Sequence, residues 1–312
     1  MKDLAGKVAV ITGGAGGIGK ALAEELVAEG VKVVIADVRA DLLDATVAEL
    51  TERGGEAIGV VTDVTDVESM RALADATWAA FGGCHLLFNN AGVGAPSAKP
   101  WESPPNDWRW VFNVNLHGVA NGVHAFVPRM IEAGEEGYVV NTSSSNGGLS
   151  HMPSAAVYAA SKAAVSSFTE TLQNQFLADE LKLRASVFYP SGGMLRTNLW
   201  VADQVRPAEL AREVPRLTPA ITVEILEEQA RQKGYELPWQ DLNELARVVI
   251  QGIRDERFVI MIGTDAVGPQ LAAQAARDPR GPRPVRDRPG PGEEDPRRGR
   301  LQPLQARPHG HA

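Results

Sequence analysis

Apolar positions along this chain fall into two alternating patterns. Seven short, mostly apolar runs occupy 7–12 (KVAVIT, rich in β-branched residues), 31–36 (VKVVIA), 57–61, 85–88 (HLLF), 138–142 (YVVNT), 183–189 (LRASVFY) and 257–262 (RFVIMI). They are nearly unbroken by polar residues, the pattern of strands buried on both faces. Between them apolar residues recur at helical spacing. Ile18, Ala21, Leu22, Leu26 and Val27 follow the first run and close at Gly30, where glycine suits a helix C-terminus. The same spacing predicts helices over 41–52, 66–81, 107–133 (as one or two), from Tyr158 to about Ala178, and over 239–253. Strands alternating with helices at this interval predict an α/β fold. Its core is a doubly wound, seven-stranded parallel sheet with right-handed crossovers.

The pattern weakens from 194 to 237, where Pro207, Pro215 and Pro219 interrupt short helical segments. A connection of that length beside a ligand face suits a lid or substrate wall. After Gly268 arginine, proline and glycine dominate and no period persists. We expect one domain over 1–267 and a disordered, solvated tail over 268–312.

Composition narrows the function classes. The chain has 312 residues, 44% of them hydrophobic, a formal net charge of −8 and a pI near 5.4. A large core can form, and the charge argues against nucleic acid as a partner of the folded body. Cys84 is the single cysteine, which excludes an intrachain disulfide and a thiolate zinc cluster and suits a reducing cytoplasm. No metal site is expected. No apolar run approaches a membrane span, and Lys2 and Lys7 lead into a short strand, so neither a membrane anchor nor a signal segment is expected.

Candidate chemistry sits at strand ends. Gly13-Gly-Ala-Gly-Gly-Ile-Gly19 joins the first strand to the first helix. Glycines there permit a tight turn and close approach of a pyrophosphate to a helix N-terminus. Asp37 ends the second strand. Its carboxylate could accept ribose hydroxyls and repel a 2′-phosphate, or it could cap the next helix. Arg39 is positioned to favour such a phosphate instead. Asp63-Val64, Asn89-Asn90-Ala91-Gly92 and Ser143-Ser144-Ser145-Asn146 follow the third, fourth and fifth strands, where open α/β sheets bind ligands. Asn115 lies among apolar helical residues and needs a polar partner. Tyr158 and Lys162 are four apart on a helix and share a face. An ammonium beside a phenol stabilises the phenolate and lowers its pKa, which equips the pair for proton exchange with an alcohol or ketone oxygen.

From about residue 4 to 264 the chain resembles the short-chain dehydrogenase/reductase family. The resemblance rests on Thr12-Gly-x-x-x-Gly-x-Gly19, Asp63, Asn89-Asn-Ala-Gly92, Asn115, the serine run, Tyr158-x-x-x-Lys162, and Pro190 with Thr197. It implies a single Rossmann-type domain, NAD as cofactor, and interconversion of a secondary alcohol and its ketone. Tyr158 would be the acid/base. Lys162 would lower its pKa and hold the nicotinamide ribose, and Asn115 would hold a water linking Lys162 to solvent. A serine would bond the reacting oxygen. Counting back from the tyrosine points to Ser145 and counting from the strand points to Ser144, which we favour. Cofactor contacts are implied at Gly13, Gly17, Ile18, Gly19, Asp37, Arg39, Asp63, Val64, Asn90, Ala91, Gly92, Pro190, Gly192, Met194 and Thr197. Val93, Met152, Val157, Leu199 and Trp200 suggest an apolar, bulky aryl or alicyclic substrate. Ser191 departs from the glycine common after the family's proline. Relatives pair as homodimers or homotetramers through the helices bearing Asn115 and Tyr158, which is the expected assembly. Two alternatives stay open: the same enzyme using NADP, and a dinucleotide-binding sensor without turnover.

Overall fold

In the computed structural model, residues 1–147, 149, 152–214 and 222–263 are described; the expected tail over 268–312 lies outside them. The strands are β1 (Val8–Thr12), β2 (Lys32–Asp37), β3 (Ala57–Val61), β4 (Leu86–Asn89), β5 (Gly137–Thr142), β6 (Leu183–Phe188) and β7 (Val259–Ile260). All pair in parallel, in the order β3-β2-β1-β4-β5-β6-β7. The helices are α1 (Gly17–Ala28), α2 (Ala40–Glu52), α3 (Val67–Phe81), α4 (Pro105–Phe112), α5 (Gly118–Ala133), α6 (Ala156–Ala178), α7 (Val223–Gln232) and α8 (Leu242–Arg254). This is the expected doubly wound α/β sheet, and the order reverses between β1 and β4.

Two cores explain why the strands carry no polar alternation. Ala9 and Ile11 of β1 pack on one side with Leu22 and Leu26 of α1, Leu43 of α2 and Val249 of α8. Val10 points the other way, among Met70 and Leu73 of α3, Phe126 and Met130 of α5, and Phe176 of α6. Each such side chain withdrawn from water contributes about 1.5–3 kcal/mol. Cys84 belongs to the second core, and burial pushes its thiol pKa up. No helix among the described residues is long and apolar enough to cross a membrane.

Three elements differ from the sequence pattern. The helix expected over 107–133 is divided: α4 and α5 are joined by a π-helical turn, Asn113–His117. Such a turn inserts one residue into the helical ladder, and the buried Asn115 lies within it. The seventh strand shrinks to two residues, Val259 and Ile260, which pair with Val187 and Phe188 of β6. The last helix begins at Leu242, capped by Asp241, which accepts from the N–H groups of Asn243 and Glu244. Trp239, expected in that helix, instead bridges to Met194 in parallel.

Candidate active site

A cleft of about 510 Å³ runs across the C-terminal ends of the strands, over the β1/β4 reversal. At one end lies the glycine turn. Gly13 has a φ of +64°, which glycine adopts without strain, and a Cβ there would sit 2.9 Å from the Ala91 Cα. A Cβ at Gly17 would meet Thr197 at 3.1 Å, so the segment after β6 closes directly over the turn. Gly19 does not line the cleft. A Cβ there would lie 2.2 Å from the Gly13 carbonyl oxygen, so its role is the packing of α1 under the turn. Asn90 ties the turn to β4: its amide donates to the carbonyls of Thr12 (3.1 Å) and Gly13 (3.3 Å).

Asp37 does not cap α2. The N-cap is Arg39, whose side chain makes no capping bond. The carboxylate instead accepts the Ala15 N–H at 3.2 Å and the Arg39 N–H at 3.0 Å, which fixes it on the cleft wall. The Arg39 guanidinium is forked onto Asp41, at 3.3 and 3.2 Å, and that hydrogen bond raises its pKa. Asp63 and Val64 line the same end. Asp63 accepts from the Thr65 N–H (2.9 Å) and hydroxyl (2.8 Å), and the Val64 carbonyl accepts from Asn121.

The residue types fit a dinucleotide. The glycine turn leads into an α1 N-terminus that has no side-chain cap and no acidic residue in its first turn, a site suited to a pyrophosphate. The Asp37 carboxylate suits a ribose diol.

At the other end of the cleft, α6 brings Tyr158 and Lys162 to the C-terminal end of β5. Lys162 is 3% exposed and donates from Nζ to the Thr142 carbonyl at 2.7 Å, with the ammonium 5.9 Å from the Tyr158 ring centroid. Burial lowers its pKa to about 8. Burial also raises the Tyr158 pKa, and a hydrogen bond with Ser144 pulls it back. The lowered phenol pKa expected from sequence therefore meets an opposing effect. Both groups are desolvated, and each desolvation disfavours the charged form.

Ser144 lines the cleft against Tyr158, whereas Ser145 opens the 3-10 turn Ser145–Gly147 and does not reach the lining. Gly147 rests on α6 so closely that a Cβ would lie 2.5 Å from the Lys162 carbonyl carbon. Ser143 also borders the cleft, but its hydroxyl is engaged by the Lys162 carbonyl and Ser166 Oγ. Asn115 is fully buried. Its oxygen accepts the Val93 N–H at 2.8 Å, and its amide donates to the Val93 carbonyl and to Ser161 Oγ, both at 3.0 Å. Ser161 donates in turn to the Tyr158 carbonyl. The side-chain amide of Asn115 is thus engaged by protein groups on both its oxygen and its nitrogen.

Gly13, Gly17, Ile18, Asp37, Arg39, Asp63, Val64, Asn90, Ala91, Gly92, Pro190 and Thr197 all line this cleft with Tyr158, Lys162, Val93 and Leu199. Gly192 and Met194 do not: Gly192 packs on Gln240, and Met194 pairs with Trp239. Among the expected substrate contacts, Met152 projects into a separate surface groove with Trp101. Val157 is buried behind the wall. Trp200 turns its indole N–H to the Leu195 carbonyl. Sequence reasoning missed Thr62, Trp110, Val114, Asn198, Ala202, Val205 and Leu210, which line the cleft. Of these, Trp110 stood out in the sequence, as one of three tryptophans clustered at 101, 108 and 110.

A family model described as short chain dehydrogenase matches residues 7–204. The chain is 39% identical over 210 residues to a C alpha-dehydrogenase of Sphingobium sp., covering 67% of each chain. It is 36% identical over 216 residues to a 2,5-dichloro-2,5-cyclohexadiene-1,4-diol dehydrogenase of Sphingobium indicum, covering 69% of this chain and 82% of that one. A crystal structure of a short chain dehydrogenase/reductase from Burkholderia phymatum, in complex with NAD, superposes with a TM-score of 0.77 at 38% identity, covering 91% of this chain and 99% of the other. Fold, motif order and relatives converge, and the chain belongs to the short-chain dehydrogenase/reductase family of oxidoreductases.

Proposed function

We propose that this enzyme interconverts a secondary alcohol and its ketone, with NAD as cofactor and a bulky, apolar aryl or alicyclic substrate. One observation carries the reading: Tyr158, Ser144 and the buried Lys162 converge at one end of a continuous cleft whose other end presents the glycine turn and Asp37. Bound along that cleft, NAD would take or give a hydride at its nicotinamide ring.

The protein's own part is proton transfer and positioning. In the oxidative direction Tyr158 accepts the alcohol proton as the hydride leaves the carbinol carbon. Ser144 hydrogen-bonds the same oxygen. Lys162, held by the Thr142 carbonyl, supplies the positive charge that favours the phenolate. The proton balance belongs to the coupled Tyr158–Lys162 pair rather than to either group. Asn115 and Ser161 hold the α6 backbone at Tyr158 in place from the side of α5.

The preference for NAD is supported by Asp37 on the wall and by Arg39, the nearby candidate for a 2′-phosphate, which is already forked onto Asp41. The apolar substrate end is supported by Val93, Trp110, Leu199 and Val205. It is supported also by the cyclic diol named for the Sphingobium indicum relative. Pairing of two or four copies through α5 and α6 belongs to the same proposal. The test is a panel of secondary alcohols with NAD and with NADP, followed by absorbance of the reduced cofactor. Turnover of aryl or alicyclic alcohols with NAD is the expected result. Failure of every secondary alcohol with both cofactors, in protein that binds NAD, would favour a sensor and overturn the proposal.

A further inference from the structure

The far wall of the cleft comes from a segment with little regular structure. Ala202 and Val205 belong to the 3-10 segment Asn198–Val205 and Leu210 to Ala208–Leu210, and all three pack with Trp110 of α4. Holding such a segment in one arrangement costs about 1–2 kcal/mol per residue in backbone entropy, and three apolar side chains do not specify which arrangement it takes.

A second set of contacts does. Asp107, in the first turn of α4, is 1% exposed; its Oδ1 lies 2.7 Å from Arg206 Nη1 and its Oδ2 3.2 Å from Arg212 Nη2. Both arginine side chains are largely buried. Arg206 also lies face-on to the Trp110 ring, with Cζ 4.7 Å from the centroid, and its Nε donates to the Leu210 carbonyl at 2.7 Å. Next to it Asn106 donates to the Ala211 carbonyl at 2.8 Å and accepts Arg109 on its Oδ1. None of the three charged groups lines the cleft. Buried ion pairs add little net stability, yet losing one partner leaves the other charge buried and poorly compensated, which costs far more than the pair contributes.

We propose that Asp107, with Arg206 and Arg212, forms a specificity latch. The double ion pair positions the wall over 198–212 against α4, fixes the face that Trp110 turns to the cleft, and thereby sets how large an alcohol is accepted. The size selection rests on the dehydrogenase reading above. The positioning of the wall does not.

The experiment takes Asp107→Asn, Arg212→Gln and Arg212→Lys in the full chain. It measures KM and kcat for a bulky arylalkanol and for 2-propanol, NAD affinity by fluorescence titration, and amide hydrogen exchange. For Asp107→Asn, KM for the arylalkanol should rise at least about tenfold, while kcat, the 2-propanol KM and NAD affinity stay within about twofold. Exchange should accelerate at least about tenfold over 198–212 and stay unchanged in β1 and β5. Arg212→Gln should show the same split more weakly, and Arg212→Lys, which keeps a charge near Asp107, should recover it. Should Asp107→Asn fail to fold, the two Arg212 variants decide. Unchanged exchange and an unchanged KM ratio would overturn the latch, as would an equal loss in kcat, in both KM values and in NAD affinity. If the wild type oxidises neither alcohol, the dehydrogenase reading fails by itself, and exchange over 198–212 alone upholds or overturns the latch.

Discussion

Asp37 offers the sharpest test of cofactor choice. Two unit charges about 4 Å apart repel by about 1 kcal/mol in bulk water and by about 4 kcal/mol at an effective dielectric near 20. Asp37 is half-buried on the cleft wall, so its repulsion of a 2′-phosphate falls between those limits. We therefore expect NAD to be preferred at least about tenfold, or about 1.4 kcal/mol. Replacing the residue needs care, because the carboxylate also accepts the Ala15 and Arg39 N–H groups. Asp37→Ala leaves both donors without their acceptor, at about 1–3 kcal/mol for a buried one, and should damage the turn for either cofactor. Asp37→Asn keeps an acceptor and removes the charge, so it isolates the electrostatics. It should narrow the gap mainly by raising kcat/KM with NADP. Adding Asp41→Ala releases Arg39 and should narrow it further. The assay is kcat/KM for each cofactor at saturating alcohol, read as reduced-cofactor absorbance. Equal efficiency of the wild type with NAD and NADP, or an unchanged ratio in Asp37→Asn, would refute the reasoning.

Tyr158→Phe should bind NAD with about the wild-type affinity and lose nearly all turnover, since only the proton carrier is removed; retention of most activity on the best alcohol would end the proposed mechanism. Ser144→Ala should lower kcat by about 100-fold or more and shift the rising limb of the pH profile upward, because it removes the hydrogen bond that holds the Tyr158 pKa down. Ser145→Ala should do neither, and the reverse ranking would reassign the serine. Burial lowers the Lys162 pKa to about 8 in the folded chain, from an ordinary value of 10.5. The unfolded chain then holds the proton more tightly, and the buried charge costs stability at neutral pH. That cost fades as pH rises from about 8 toward about 10.5. Lys162→Met should thus raise Tm at pH 7 relative to its effect at pH 10, while weakening NAD binding and moving residual activity to higher pH. Calorimetry giving the same Tm change at both pH values would contradict the assignment.

Local chemistry made the sheet and much of the cleft legible. Buried strands announce themselves as nearly unbroken apolar runs such as VKVVIA, and the glycine turn, Asp37 and Tyr158-x-x-x-Lys162 are close in sequence to the elements that position them. The substrate wall was not legible. Met152 and Trp200 are large and apolar, but in a segment without helical or strand period nothing in the sequence fixes which way they point, and both turn from the cleft. The Asp107–Arg206 pair joins α4 to the residue that closes the 3-10 segment Asn198–Val205, 99 positions later, a partnership that only the folded chain reveals. Asn115 signalled a need for a polar partner. It could not signal that Val93 and Ser161 would be the partners, nor that the residue would sit in a π turn.

That wide turn makes the active site sensitive to chain length as well as to residue identity. A helix advances about 100° per residue, so removing one residue from Asn113–His117 would let the ladder close as an ordinary α-helix and rotate one flank against the other. The α5 flank is held by Asn121 on the Val64 carbonyl and by Phe126 and Met130 in the core, which leaves α4 to swing. Trp110 and Asp107 would leave the wall together, and Asn115 would lose Val93, with every catalytic side chain still encoded. A one-codon deletion here is therefore a larger lesion than most substitutions, and among relatives a difference of one residue in this loop-free stretch would mark a differently shaped pocket before any side chain is compared.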